Sequence, residues 1–214
     1  IVGAGGIGAP VSLYLAQAGV GSITMIDHDT VDLSNLQRQI IYTEQHVGRA
    51  KIHSTGEELC ARNMALQFHG VRAKLQKQNA RSLLEGHALV IDGCDNFATR
   101  LHINMACQIL GIPLISGALT RFDGQVAIFE AGGPCYKCLY PTMPDPTKIA
   151  RCDTVGVLGP MAGIVGAMMA AEAIKILADS PGKQYGNLLL FDMLHWQFQK
   201  IAIAKVPDCK VCAV

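Results

Sequence analysis

Short apolar segments alternate with longer segments of helical periodicity along the first half of the chain. The apolar runs predict buried strands, and the periodic segments predict helices that pack on them. The predicted strands are an opening one that ends at Val2 and residues 22–27, 88–92 and 113–117. The predicted helices are one that ends near Ala18 and residues 48–63 and 97–110. This alternation predicts a Rossmann-like, doubly wound α/β sheet with parallel strands.

The pattern changes after the first half, because strands follow one another with fewer helices between them. The predicted antiparallel strands are residues 125–130, 188–191 and 196–204. A long apolar helix is predicted over residues 161–177. We therefore predict a single domain over residues 1–214, with a mixed sheet that is parallel in residues 1–117 and antiparallel in residues 118–214.

Residues 155–171 carry no charge, and the length of this stretch is at the lower limit for a membrane-spanning helix. Pro160 and four glycines interrupt this stretch, and Glu172 and Lys175 follow it, so we interpret it as a buried, closely packed helix.

The start of the chain does not resemble a signal peptide. We therefore predict a soluble, cytoplasmic protein without a membrane partner. Because the chain opens on Ile1 directly in a strand, we expect it to begin inside a longer protein.

Composition excludes disorder and argues against nucleic-acid binding. Half of the residues are hydrophobic and 16% are charged, so the chain can bury a large core. The formal net charge is +1 and aromatic residues make up 6% of the chain. A basic surface and stacking platforms, which nucleic-acid binding requires, are therefore not expected.

A glycine-rich loop follows the opening strand. Gly3, Gly5 and Gly8 form a G-x-G-x-x-G motif, which lets a phosphate approach the backbone and a helix N-terminus. Asp27, at the end of the second strand, is placed where an acid binds ribose hydroxyls. Together these features favour nucleotide binding over a mere tight turn, but they do not separate NAD from ATP.

The segments that follow carry positive charge and favour a triphosphate. Arg38 lies in the sequence SNLQRQ and Lys51 in GRAK, beyond the ribose acid. A guanidinium and an ammonium there can hold phosphates, although a solvated basic turn is the alternative. The sequence DGCDN, residues 92–96, ends another strand at the carboxyl edge of the sheet, where a carboxylate can hold Mg²⁺ among phosphates.

The chain contains eight cysteines, and four of them form two Cys-x-x-Cys pairs. These pairs, Cys135/Cys138 and Cys209/Cys212, supply the four thiolates of a closed structural zinc site. A redox role is the alternative for either pair alone. The remaining cysteines Cys60, Cys94 and Cys107 are interpreted as small core residues.

Cys152 differs from the other cysteines because it follows a proline-bearing loop and the cation Arg151. Exposure and an adjacent cation favour the reactive thiolate. The alternative is an ordinary loop cysteine.

The order of these motifs resembles one enzyme family. GAGGIG, ID-x-D, DLSNLQRQ, VGRAK, DGCDN, RFDGQ, the paired CxxC motifs and GVLGP stand in the order seen in the bacterial MoeB/ThiF enzymes, which are related to ubiquitin-activating enzymes. The resemblance covers essentially the whole chain, and SNLQRQ and the spaced CxxC pairs are specific. The Cys152 environment and the CLYP segment favour the ThiF-like branch.

The resemblance implies an ATP-dependent adenylyltransferase. Such an enzyme activates the C-terminal Gly-Gly carboxylate of a ubiquitin-like sulfur carrier, of the ThiS or MoaD type, in a thiamin or molybdopterin pathway. It implies ATP, Mg²⁺ and a structural Zn²⁺ as bound groups, and a homodimer that meets a cysteine desulfurase or another sulfur donor. Residues 1–117 would bind the nucleotide, and residues 118–214 the carrier and zinc. A family segment that precedes the first strand, whose arginine reaches the neighbouring subunit's ATP, is expected to be missing.

The resemblance also implies the site residues. The expected catalytic residues are Arg38, Lys51, Asp95 and Cys152, of which Cys152 would link to the carrier or carry sulfur. The expected nucleotide-binding residues are Gly3, Gly5, Gly6, Gly8, Asp27, Asp29, Ser34, Asn35, Gln37, Arg38, Lys51, Asp95 and Asn96. The expected zinc ligands are Cys135, Cys138, Cys209 and Cys212.

Two other functions compete with this one. An NAD-dependent oxidoreductase shares the glycine loop, but no constellation of His or of Tyr and Lys offers acid chemistry for hydride transfer. A non-catalytic, zinc-stabilised binding module is the second alternative. Nucleotide-dependent pyrophosphate exchange separates all three.

Overall fold

The computed structural model describes residues 1–142 and 156–213. Its helices are α1 (Gly8–Gln17), α2 (Lys51–Arg62), α3 (Ala80–Leu84), α4 (Phe97–Leu110), α5 (Tyr136–Leu139) and α6 (Gly159–Leu177). Its strands are β1 (Ser22–Ile26), β2 (Gln67–Val71), β3 (Val90–Asp92), β4 (Leu114–Thr120), β5 (Asp123–Phe129), β6 (Asn187–Asp192) and β7 (Gln197–Ala202). Two 3₁₀ turns, Leu33–Asn35 and Glu44–His46, lie between β1 and α2.

The strands form a sheet that is parallel on one side and antiparallel on the other. β1 pairs with β2 and β3 pairs with β4 in parallel, whereas β4 to β7 pair as successive antiparallel neighbours. Val2 is bridged in parallel to both Ile26 and Asp92, so the opening segment joins the two groups of strands. The predicted mixed sheet is therefore confirmed, with the change of direction at β4.

Helix α6 packs against α1 and the centre of the sheet, and this packing explains its apolar sequence. Met161, Val165 and Met169 are fully buried along one side of it. A Cβ atom on Gly166 would lie 2.4 Å from the ring of Pro10, so the two helices meet closely because no side chain intervenes. Among the described helices, α6 has the length and apolar composition that would also suit a membrane span. Its buried side identifies it as a core helix of this sheet.

Most of the predicted elements are confirmed within a few residues, and three of the described helices and strands were missed. The helix predicted over residues 97–110 has those bounds, and the apolar helix begins two residues earlier than predicted, at Gly159. β2, α3 and the short helix α5 were not predicted. β2 has the sequence QFHGV and is buried at none of its positions, so neither alternation nor an apolar run marks it.

The last two strands form an exposed hairpin at the edge of the sheet. Every residue of β7 is solvent-exposed, although Phe198 stacks on Phe191 of β6 with ring centroids 5.8 Å apart. Leu194 and Trp196 stand in the turn between the strands, and Trp196 is 77% exposed. The hairpin thus presents apolar side chains that the described residues do not cover.

Candidate functional site

A cavity of about 590 Å³ lies at the edge where the opening segment and the parallel strands have their carboxyl ends. This is the position at which open α/β sheets bind ligands. Its walls come from the loops that follow Val2, β1, β2 and β3 and from the adjacent ends of β4 and β5. Nucleotide-site candidates that line it are Gly3, Gly5, Gly6, Asp27, Asp29, Asn35, Arg38, Lys51, Asp95 and Asn96.

The glycine loop is shaped by two backbone requirements. Gly3 has a φ of +96°, a conformation that other residues rarely adopt. A Cβ atom on Gly8 would lie 1.9 Å from the carbonyl oxygen of Gly3, so a side chain at this position would force the loop open. Gly8 therefore supports the loop from below and does not line the cavity, whereas Gly5 and Gly6 do.

Asp27 is fixed by the loop that it faces. One carboxylate oxygen accepts a hydrogen bond from the backbone N–H of Ala4 at 2.7 Å, and the other accepts from the backbone N–H of Asp29 at 2.8 Å. The carboxylate thus ties the end of β1 to the glycine loop, and Asp27 lines the cavity.

Lys51 is a buried cation at the cavity wall, with only 6% of its surface exposed. Its Nζ lies 3.2 Å from Oδ2 of Asp29, and its backbone N–H donates to the carbonyl of Asp29. The hydroxyl of Tyr42 donates to the carbonyl of Ala4 at 2.9 Å and lies 2.8 Å from the hydroxyl of Thr55 in α2. The start of α2, which carries Lys51, is therefore joined to the glycine loop.

The segment after β1 sends some of its polar side chains into the cavity and others away from it. Arg38 lies against Gly6, because a Cβ atom added to Gly6 would lie 3.5 Å from Cγ of Arg38. Asn35 accepts a hydrogen bond from the amide of Gln39, which also lines the cavity. Ser34 instead donates to Asp32 from its backbone N–H and from its hydroxyl.

Ser34 and Gln37 do not line the cavity, in contrast to their predicted neighbours. The hydrogen bonds from Ser34 lower the pKa of Asp32, so this pair stabilises the 3₁₀ turn. Gln37 lies against the first turn of α6, where a Cβ atom on Gly159 would be 2.3 Å from its carbonyl oxygen. Both residues therefore shape the segment that positions Arg38.

Asp95 and Asn96 stand in the loop between β3 and α4. Asn96 caps α4, because its side-chain oxygen accepts from the backbone N–H of Thr99 at 2.9 Å. Its amide nitrogen lies 3.4 Å from Oδ1 of Asp95. The exposed carboxylate of Asp95 thus faces the cavity from a fixed loop.

A buried charged group to which the sequence motifs gave no catalytic role, Arg100, lies at the base of the cavity. Arg100 donates to the hydroxyl of Ser116 at 3.2 Å and to the carbonyl of Cys94, and it lies 3.8 Å from the carboxylate of Asp92. Burial lowers the pKa of Arg100, but the Asp92 charge raises it above its usual range, so the guanidinium stays charged. The helical pattern predicted α4 but not which of its side chains meets the sheet edge.

Two further parts of the lining were also missed. Lys74 and Leu75 reach the cavity from the segment after β2, the strand that the sequence pattern did not reveal. At the other side, Tyr140 exchanges hydrogen bonds with Gln125 at 2.9–3.0 Å and packs with Tyr136, their ring centroids 5.0 Å apart. The cavity thus continues well beyond the glycine loop.

The two Cys-x-x-Cys pairs meet in one buried cluster. Sulfur–sulfur distances are 4.0 Å for Cys135–Cys138, 3.8 Å for Cys135–Cys209 and 3.4 Å for Cys138–Cys212. All four sulfurs lie within 4.8 Å of one another, as tetrahedral ligation of one zinc ion requires. Burial raises the pKa of Cys209, but the backbone N–H groups of Cys212 and Val211 lower it to about 7. Burial raises the pKa of Cys135 and of Cys212, so the thiols of the cluster differ in acidity.

Comparison with protein families identifies the chain. The model of the ThiF family matches residues 1–211. The chain belongs to the ThiF family.

Relatives of this ThiF-family chain are named as adenylyltransferases. It is 43% identical to the adenylyltransferase and sulfurtransferase MOCS3 of Anopheles gambiae over its whole length, and it spans about half, 49%, of that protein. It is 41% identical to the sulfur carrier protein adenylyltransferase of Thermus thermophilus, with 99% of this chain and 80% of that protein covered.

Solved structures support the same fold. The chain superposes on Escherichia coli MccB, in a crystal structure with ATP, with a TM-score of 0.88. The match covers 100% of this chain and 66% of that one at 21% identity, so it establishes the fold alone.

The remaining cysteines of the ThiF-family chain divide among three environments. Cys107 is buried, as predicted, whereas Cys60 is exposed on α2, so its interpretation as a core residue was wrong. Cys94 is half-buried and lines the cavity. Burial and the Asp92 charge raise its pKa well above the usual value, so it remains a neutral thiol. Cys152 and its neighbour Arg151 lie outside the described residues.

Proposed function

We propose that this chain catalyses the ATP-dependent adenylation of the C-terminal Gly-Gly carboxylate of a ubiquitin-like sulfur carrier protein. The observation that carries the proposal is the cavity. One side of it gathers a glycine loop, a fixed acid and two cations, and the other side continues past Tyr136 and Tyr140 with space for a chain end. The relatives from Thermus thermophilus and Anopheles gambiae are both named as adenylyltransferases, and the former acts on a sulfur carrier protein.

The proposed chemistry asks little of general acids or bases. The terminal carboxylate of a carrier is ionised at pH 7, because its pKa is about 3.3–3.7. One of its oxygens attacks the α-phosphorus of ATP, the bond to the bridging oxygen breaks, and pyrophosphate leaves with the electron pair. The products are the acyl-adenylate and pyrophosphate, so atoms and charges balance. Arg38 and Lys51 stabilise the charge on the phosphates during this displacement.

We assign Asp95 to the magnesium ion that accompanies ATP. Its exposed carboxylate at the cavity wall, beside Asn96, offers the hard oxygen ligands that Mg²⁺ prefers. When bound, the ion neutralises phosphate charge. Asn35, held by Gln39, supplies a further polar contact, and Asp27 accepts from the ribose hydroxyls.

We assign the second half of the chain, residues 118–214, to the carrier and to zinc, and residues 1–117 to the nucleotide. The exposed apolar hairpin near Trp196 offers a surface for the body of the carrier. The four clustered cysteines fit a closed zinc site that stabilises this half and has no open position for catalysis. The proposed reaction takes place in the cytoplasm, in a homodimer, and belongs to a thiamin or molybdopterin pathway.

Pyrophosphate exchange tests the proposal directly. With ATP, Mg²⁺ and a Gly-Gly carrier of the ThiS or MoaD type, the protein is expected to exchange labelled pyrophosphate into ATP, and mass spectrometry is expected to detect the carrier adenylate. Calorimetry is expected to show ATP binding and no NAD binding, because Arg38 and Lys51 face the phosphate side of the cavity. Binding of NAD without ATP would replace this proposal by the oxidoreductase. Binding of ATP without exchange would favour the non-catalytic module.

A separate expectation concerns Cys152, which we propose as the nucleophile of the step after adenylation. Adenylation requires only phosphate positioning, so Cys152→Ala is expected to form the carrier adenylate at the wild-type rate. The wild type, but not the variant, is expected to form a thiol-sensitive adduct with the carrier when a sulfur donor such as a cysteine desulfurase is present. Cys60→Ala, at an exposed cysteine away from the cavity, is the control. Equal rates of carrier thiolation would remove Cys152 from the mechanism.

A further inference from the structure

One face of α4 runs from the cavity to the cysteine cluster. Arg100 and Asn104 lie one turn apart on this helix, both are buried, and Arg100 lines the cavity. Asn104 is 0% exposed and reaches the loop that carries the first cysteine pair. A polar residue buried so completely requires hydrogen-bond partners for its amide.

Only one half of the Asn104 amide is satisfied. Its oxygen accepts from the backbone N–H of Tyr136, the residue after Cys135, at 2.9 Å. Its nitrogen Nδ2 is buried and donates no hydrogen bond to another described residue. An unsatisfied buried donor destabilises the folded state, so a partner that appears on ligand binding would explain it.

Cys135 is the candidate partner, because it directly precedes Tyr136, whose backbone N–H the Asn104 oxygen holds. A neutral thiol is a weak acceptor, whereas a metal-bound thiolate carries the charge that strengthens such a bond. The four sulfurs within 4.8 Å of one another supply the ligand set for that metal.

We propose that Asn104 supports the zinc centre directly: Nδ2 donates to the zinc-bound thiolate of Cys135 while Oδ1 holds the backbone of Tyr136. Groups that hydrogen-bond to metal ligands orient them and increase metal affinity. The same loop directs its tyrosines Tyr136 and Tyr140 toward the cavity. Asn104 therefore joins the metal centre to the wall of the reaction cavity.

The test is the zinc affinity of Asn104→Asp, measured by competition with a chromophoric chelator. This substitution keeps an acceptor for the Tyr136 N–H but replaces the amide donor by a carboxylate that repels the thiolate. We expect the zinc dissociation constant to rise by about 10–100-fold. Gln108→Glu is the matched control, because it adds the same charge on the same helix while its side chain contacts the carbonyl of Glu130. Its zinc affinity is expected to stay within about twofold of wild type, well below the range for a supporting group.

A second variant tests whether the loss of zinc affinity comes from misfolding or from the added charge alone. Asn104→Leu has a similar size and adds no charge, and we expect it to weaken zinc binding as well. In the cobalt-substituted protein, the sulfur-to-cobalt charge-transfer band is expected to shift in both Asn104 variants and to stay in place in Gln108→Glu. Wild-type zinc affinity in either Asn104 variant, or an equal loss in the control, would overturn the proposal.

Discussion

Replacing Arg38 by alanine is expected to slow carrier adenylation by about 10²–10³-fold, the cost of removing one preorganised group that stabilises transition-state charge. Arg38 lines the cavity against Gly6, and its Nη1 lies 3.3 Å from the carbonyl of Ser34, so its stem is held beside the glycine loop. Alanine removes the charge from the phosphates and leaves the loop without a new clash. The measurement is single-turnover formation of the carrier adenylate.

Two further variants test whether the lower adenylation rate comes from the loss of the Arg38 side chain itself. Arg38→Lys keeps the charge but lacks the planar fork, so its rate is expected to fall between those of wild type and alanine. Arg49→Ala removes an exposed arginine that pairs with Glu57 and does not line the cavity, and it is expected to retain the wild-type rate. An unchanged rate in Arg38→Ala would exclude Arg38 from the chemistry.

The largest effect on stability is expected from Cys209→Ser. A closed zinc site contributes its binding energy to folding, and one ligand fewer forfeits much of it. We expect less than one zinc per chain and a loss of folding free energy on the order of 5 kcal/mol, which lowers Tm by roughly 10–20 °C. Pyrophosphate exchange, measured at a temperature where the variant is folded, is expected to change much less.

The control for this prediction is Cys60→Ser, which alters an exposed cysteine outside the cluster and is expected to change neither zinc content nor Tm. Metal analysis that finds well under one zinc in the freshly purified wild type would contradict the site. The cluster would then have to be interpreted as redox pairs, and a mass 2 Da lower per pair after oxidation would identify them.

The sequence pattern predicted the strands and helices with a clear apolar run or helical period, and it missed β2, which has neither. β1 and α4 are apolar or periodic, and they stand where the pattern places them. β2 is specified by its backbone ladder to β1, so its polar sequence gives no signal. Missing β2 also hid Lys74 and Leu75, which follow it into the cavity.

The sequence likewise predicted some residues of the candidate site and not others. The glycine loop, Asp27, Arg38 and Lys51 lie in local motifs whose spacing carries their chemistry, and the structure brings them to one cavity. Arg100 has no such motif, because its position depends on how α4 packs on the sheet. Gly8, Ser34 and Gln37 lie in the motifs yet away from the cavity, since a motif also contains residues that support its backbone.

The exposed position of Trp196 gives the protein a built-in optical reporter. It is the single tryptophan of the chain, and its indole stands in the turn of the β6–β7 hairpin, outside the residues that line the cavity. Its fluorescence emission depends on the polarity around the ring. Nucleotide added to the cavity therefore leaves this emission unchanged, whereas a protein that covers the hairpin shifts it to the blue. If the carrier docks on this hairpin as proposed, its binding is expected to be measurable on the unlabelled protein, separately from binding of the nucleotide.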